Sequence, residues 1–251
     1  MAERPAKRAR LLDIRTRIPY CSQSALAALL KIAETEELPS GSRKDIAIAR
    51  DCVSAIATPY GTLHQTISVP TTSGGELKLE VQAPLGCLWQ ACRVSAQFSE
   101  LVQRCYAAQP ATIAAPWKLL LYCDEVIPGN QLAYNTGRKF WAWYWSILEL
   151  GTAALADELA WFEILLLRRT LLKQISGELS SLFCIILRCF FSRDSHNLAT
   201  TGITLLLHNG SALTIFIEFG MLVADEAALH AAYQFKGASG LNKLCSLQQR
   251  V

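Results

Sequence analysis

The stretch Lys118-Leu119-Leu120-Leu121-Tyr122-Cys123-Asp124-Glu125-Val126 is a short apolar run with an acid set inside it. Its length, and the turn residues Pro128-Gly129-Asn130 that close it, predict a buried strand. An unpaired carboxylate in an apolar strand costs several kcal/mol to bury, so Asp124 is a candidate site residue rather than a packing residue.

Working outward, Arg138 to Leu150 reads as a second strand, with Trp141, Trp143 and Trp145 on one face and Phe140 and Tyr144 on the other. Base stacking on the tryptophans is the alternative to core packing, and double-sided aromatics favour the core. Trp161 to Leu167 reads as a third strand. Ser176 to Phe191 has helical spacing, with Ser176 as a possible N-cap and Glu178 in the first turn. Ile203 to Leu207 and Leu213 to Phe219 flank Asn209-Gly210, a hairpin signal. The apolar run continues through Met221-Leu222-Val223-Ala224 to Asp225, where Glu226-Ala227-Ala228-Leu229 opens a helix that Asp225 can cap.

Three strands able to form an antiparallel meander, a helix, and a strand returning through that crossover give the order of a ribonuclease H-like domain. The fold class expected is α/β (α+β): a ribonuclease H-like mixed sheet with flanking helices, preceded by a small helical region and a β-hairpin. In that topology the returning strand lies parallel to the first, about 4.8 Å away. Asp124 and Asp225 then become neighbours and are the candidate catalytic and metal-ligating residues. Two carboxylates brought together repel unless a cation lies between them, and Mg²⁺ (or Mn²⁺) takes one or two carboxylates plus phosphate oxygens and water. The chemistry this suits is phosphodiester cleavage or strand transfer.

The first strand with its Asp124, the aromatic strand after it, and Ala224-Asp225-Glu226-Ala227-Ala228-Leu229 followed by Phe235-Lys236-Gly237-Ala238-Ser239-Gly240-Leu241 and Cys245-Ser246-Leu247-Gln248 together resemble eukaryotic cut-and-paste transposases, most nearly the CACTA type. The resemblance covers about residues 116–248. It implies DNA as substrate, Asp124 and Asp225 as metal ligands, and a nuclear location, with a cytoplasmic one as the alternative. Where the family carries a C-x-x-C pair, this chain has Cys245 and Gln248, so zinc is not expected there. The family's third acid lies well downstream of the second, and no such segment precedes Val251. The domain is therefore expected to be truncated or degenerate, with Glu178 the remaining acid able to approach the pair. The alternative is a non-catalytic interaction domain for nucleic acid or protein.

The rest of the chain sets the frame. Of 251 residues 51% are apolar and 18% charged, which excludes an intrinsically disordered chain. The net charge of +3 is concentrated at the start: residues 1–18 hold six basic groups against Glu3 and Asp13, leaving the remainder at −1. This head is expected to be a basic tail, with Pro5 to Arg10 a nuclear-import or nucleic-acid-contacting segment or an ordinary solvated terminus. Residues 19–115 are expected to form a helical region with a hairpin, and 116–251 the ribonuclease H-like domain. In the helical region, Ser22 or Ser24 caps a helix to about Leu38 and a second runs from about Ser42 to Ala57; its balanced charges favour a packing module over a recognition helix. Thr62–Val69 and Glu76–Gln82 read as a hairpin, and Leu88–Ala108 as a helix stopped by Gln109-Pro110.

Other function classes find less support. The longest charge-free run, Ser195–Ile217, contains His196, Asn197, His208, Asn209, Gly210 and Ser211, so no membrane span is expected. The nine cysteines form no C-x-x-C pair and read mostly as buried thiols. His64, His196, His208 and His230 lack metal-ligand spacing, and Gly237-Ala238-Ser239-Gly240 lacks the ending of a phosphate-binding loop, so a small-molecule substrate is not expected.

Overall fold

In a computed structural model, residues 23–35, 42–127, 139–157, 160–192 and 196–233 are described. The chain divides into two compact units, residues 1–51 and 52–251. The basic head, the Pro128-Gly129-Asn130 turn and the Lys236–Gln248 segment lie outside the described residues.

Two amphipathic helices come first, α1 (Gln23–Thr35) and α2 (Arg43–Ser54). The start of α2 is capped by Ser42, whose Oγ accepts from the Asp45 N–H and donates to the Asp45 carboxylate.

The larger unit begins with a small pairing of β1 (Ala57–Thr58) and β2 (Gly61–Thr62), then the hairpin β3 (His64–Pro70) and β4 (Glu76–Gln82). The hairpin expected around the Thr-Thr-Ser-Gly-Gly turn is present, its first strand starting two residues later than Thr62, and Pro70 faces Glu76 across the turn. The helix expected over Leu88–Ala108 is instead two, α3 (Pro84–Val94) and α4 (Ala96–Ala108). Proline opens α3, where its missing N–H is harmless, and Ser95 breaks the run by turning extended and capping α4 through the Phe98 N–H.

The centre of the unit is a four-stranded mixed sheet in the order β10-β5-β6-β7. Its strands are β5 (Trp117–Val126), β6 (Phe140–Ile147), β7 (Phe162–Arg168) and β10 (Ile217–Val223). β5, β6 and β7 form the antiparallel meander, and β10 returns parallel to β5, as the order of elements predicts. Between β6 and β7 lies the short helix α5 (Thr152–Leu155). Between β7 and β10 come α6 (Arg169–Leu172), α7 (Glu178–Phe191) and the hairpin β8 (Ile203–Leu206) with β9 (Ala212–Ile215). The chain continues into α8 (Glu226–Tyr233).

The Asn209-Gly210 turn joins β8 to β9, with Gly210 at φ +83°. The strand expected over Leu213–Phe219 is split at Phe216. Ala212–Ile215 pair with β8, whereas Ile217–Val223 pair with β5, and the Phe216 carbonyl between them accepts from the Trp117 N–H. Ser176 does not cap α7. Gly177 holds that position at φ +79°, and Ser176, one residue before it, donates its N–H to the Pro70 carbonyl of the β3–β4 hairpin.

Trp143 and Trp145 pack in the core, not on a stacking surface: Trp143 stacks on Phe183 of α7, and Trp145 stacks on Phe162 with Phe190 edge-on. Cys123 faces Trp143 in the register, so it lies on this α7-covered side of the sheet. β10 needs a glycine to reach β5. At the bulge between Phe219 and Met221, Gly220 lies so close that a Cβ on it would meet the Lys118 Cβ at 2.8 Å and the Leu119 carbonyl oxygen at 2.9 Å. Among the described residues no helix is long and apolar enough to cross a membrane.

Candidate functional site

The sheet reverses its winding between β5 and β10: the chain leaves β5 towards β6 on one side and comes back as β10 on the other. The carboxyl ends of strands at such a switch point form the usual ligand crevice of open α/β sheets. Both sequence-predicted acids are there. The parallel register pairs Leu121 with Leu222 and Tyr122 with Val223; Asp124 follows two residues on within β5, and Asp225 two residues on, past the end of β10 and just before α8. Their charges both act on the buried Cys123 thiol, whose pKa is pushed up to about 12, chiefly by burial, then by Asp225 and by Asp124.

The two side chains are held by different means. Asp124 is half-buried in β5 opposite Ala142, and its Oδ2 accepts from the Tyr122 hydroxyl at 3.2 Å. That hydroxyl, in turn, has its own pKa raised by partial burial and by the Asp124 charge. Asp225 caps α8: Oδ1 accepts from the Ala228 N–H at 2.6 Å, and the Asp225 carbonyl accepts from Leu229.

Strand alternation separates the acids by face. Tyr122 and Asp124 project from the side of β5 opposite Cys123, hence away from α7. Glu178, exposed at the start of α7, is therefore on the other side of the sheet from Asp124 and does not join it. Among the described residues no three of His, Cys, Asp and Glu form a group suited to a metal ion.

Glu125 is a paired acid at this edge of the sheet that sequence reasoning passed over. It follows Asp124 and so projects on the α7 side, where Oε2 accepts from Lys139 at 2.8 Å and Oε1 from Arg169 at 3.0 Å. The three side chains leave one surplus positive charge at the sheet's carboxyl edge. The signal was present in the Asp-Glu pair, since adjacent strand residues must face opposite ways. Its cationic partners are Lys139, just before β6, and Arg169, which follows β7 and opens α6; only strand pairing brings them alongside.

No family model, no curated protein and no solved structure matches this chain.

Proposed function

We propose that the larger unit is a ribonuclease H-like domain of cut-and-paste transposase descent that acts on DNA, with its phosphodiester chemistry degenerate. The observation that supports this reading is the parallel return of β10 beside β5, with Asp124 and Asp225 each two residues beyond the last paired residues, Tyr122 and Val223. Two carboxylates with one oxygen each in a hydrogen bond fit a single Mg²⁺ or Mn²⁺, which asks for one or two carboxylates and fills its other positions with water and phosphate. Such an ion, when bound, activates a water or a 3′-hydroxyl and neutralises the leaving oxygen. Tyr122 orients Asp124 through its hydroxyl, and the α8 amide orients Asp225. Catalysis is impaired because Glu178, the remaining candidate acid, stands across the sheet from Asp124. The reading carries with it a nuclear location, with the basic segment Pro5 to Arg10 as the import signal and phosphate contact.

A second reading, a non-catalytic interaction domain, draws support from that same cap, which gives Asp225 a purely structural role. Divalent-ion titration of thermal unfolding separates the two. An ion at one hundred times its Kd stabilises by about 2.7 kcal/mol, worth roughly 5–11 °C in a unit of this size. Asp225→Asn keeps an equally good cap but removes the charge, so its metal-free midpoint should match the parent while the response to Mn²⁺ disappears. Asp124→Asn should abolish the response as well. A full Mn²⁺ response in both variants, or none in the parent chain, refutes the metal reading and leaves the interaction domain.

A further inference from the structure

A cleft of about 540 Å³ lies well apart from the carboxyl edge of β5, between the end of α3, the outer face of α4 and the segment around α5. Its walls are Val94, Phe98, Leu101, Leu150 and Phe162, with Phe98 and Phe162 in edge-to-face contact at 5.5 Å. Four further positions, Ala91, Ala153, Ala154 and Ala160, are alanines where larger aliphatic side chains would fill the space. An apolar hollow left open forfeits dispersion contacts and keeps apolar surface wet, Val94 at its rim being 60% exposed. Its volume lies within the roughly 300–1,000 Å³ of small-molecule sites, which are mostly apolar with a few placed polar groups.

The polar groups here are unequal. Gln97, Leu101 and Arg104 recur on one face of α4 at four- and three-residue spacing, so the Arg104 guanidinium stands at the end of an apolar wall. Among the described residues Arg104 makes no ion pair or hydrogen bond. Asp157, the one acid among the described lining residues, sits in the turn after α5, its backbone N–H donating to Ala154 and its backbone carbonyl accepting from Ala160, and it makes no ion pair with Arg104. Arg104 is exposed, and a guanidinium at the mouth of a cleft matches a carboxylate in two parallel hydrogen bonds.

We propose that this cleft binds a small monocarboxylate with an apolar body, the body against Phe98, Leu101 and Phe162 and the carboxylate on Arg104. The inference is independent of the metal reading. Calorimetric titration of the full chain with sodium decanoate, 1-decanol and decylammonium tests it. Decanoate is expected to bind, and decanol and decylammonium about tenfold more weakly or worse, the amount a charge-assisted hydrogen bond supplies. Arg104→Gln should weaken decanoate about tenfold and leave decanol unchanged. Ala153→Leu and Ala154→Leu fill the cleft and should weaken decanoate and decanol alike, with thermal unfolding confirming that each variant folds. No binding of decanoate, equal binding of all three probes, a preference for decylammonium, or indifference to the two leucine variants overturns the proposal.

Discussion

Replacing Gly220 tests the feature on which the site depends, the close parallel pairing of β10 with β5. Gly220 sits at the bulge in β10, and its φ is not in the left-handed region, so backbone conformation does not demand glycine there. Space does. A Cβ would come within 2.8 Å of the Lys118 Cβ and 2.9 Å of the Leu119 carbonyl oxygen, against the 3.5–4.0 Å or so of an ordinary carbon contact. Neither obstacle is the far end of a flexible side chain, so the strands must part by several tenths of an ångström or the bulge must re-form. Such overpacking costs about 1–3 kcal/mol for Gly220→Ala, and a loss of 2 kcal/mol lowers the midpoint by about 4–8 °C in a unit of this size. The order of variants is the sharper test. Ordinary strand preference ranks valine above alanine above glycine, whereas crowding predicts the reverse. Urea unfolding followed by the fluorescence of the buried Trp143 and Trp145 reads the order directly. Equal or rising stability from Gly to Ala to Val would refute the close approach of β10, and with it the proposed pairing of Asp124 with Asp225. Gly210→Ala provides the contrast: nothing lies within 4 Å of its Cβ, so only the left-handed backbone, about 1–2 kcal/mol, opposes it.

Burial raises the thiols of Cys92 and Cys123 to about 12 and those of Cys87 and Cys189 to about 11, from an ordinary 9.0. Iodoacetamide at pH 8 should therefore modify the exposed Cys52 and Cys184 well before Cys92 or Cys123, and peptide mass spectrometry of the native chain would reveal a contrary order. Because these folded-state values lie above the unfolded one, the stability they contribute is complete below about pH 9. It is lost as pH climbs towards 11–12, by up to about 1.4 kcal/mol per pH unit for each thiol; an unchanged urea midpoint between pH 8 and 10.5 would contradict this. Glu125→Gln removes the carboxylate between Lys139 and Arg169, all three partly shielded. The expected loss is about 1 kcal/mol at low ionic strength and less at 1 M salt, so a salt-independent loss would show that packing rather than charge is at stake.

Some of this architecture is written locally. The β3–β4 hairpin follows from seven-residue runs on either side of Thr-Thr-Ser-Gly-Gly, because turn chemistry and alternation are properties of neighbouring residues. The division of β6 into a tryptophan face and a Tyr144 face follows from the same period of two, and the capping of α8 by Asp225 from one acid before an alanine-rich run. The errors fall where a distant partner decides. Residues 212–223 read as one apolar run, yet they serve two sheets, since β8 claims the first half and β5 the second. Ser176 has the chemistry of a cap but lies one residue before the cap position, held by Gly177, and bonds through its N–H to Pro70, more than 100 residues earlier in the chain. The break at Ser95 was readable, because serine caps α4 and proline opens α3, but continuous apolar spacing hid it.

The amino-acid sequence by itself determined the types of the central elements and the order of three strands, a helix and a returning strand, although Leu148–Leu150, read as the end of the second strand, form a 3-10 turn; hydrophobic period, caps and turns act over a few residues. Tertiary structure decided which side of the sheet each acid occupies relative to α7, that Lys139 and Arg169 hold Glu125, and that an open cleft remains beside α4. Those outcomes depend on the register of β10 against β5 and on how α7 covers one face, and register between distant strands is set by the packing of the whole core.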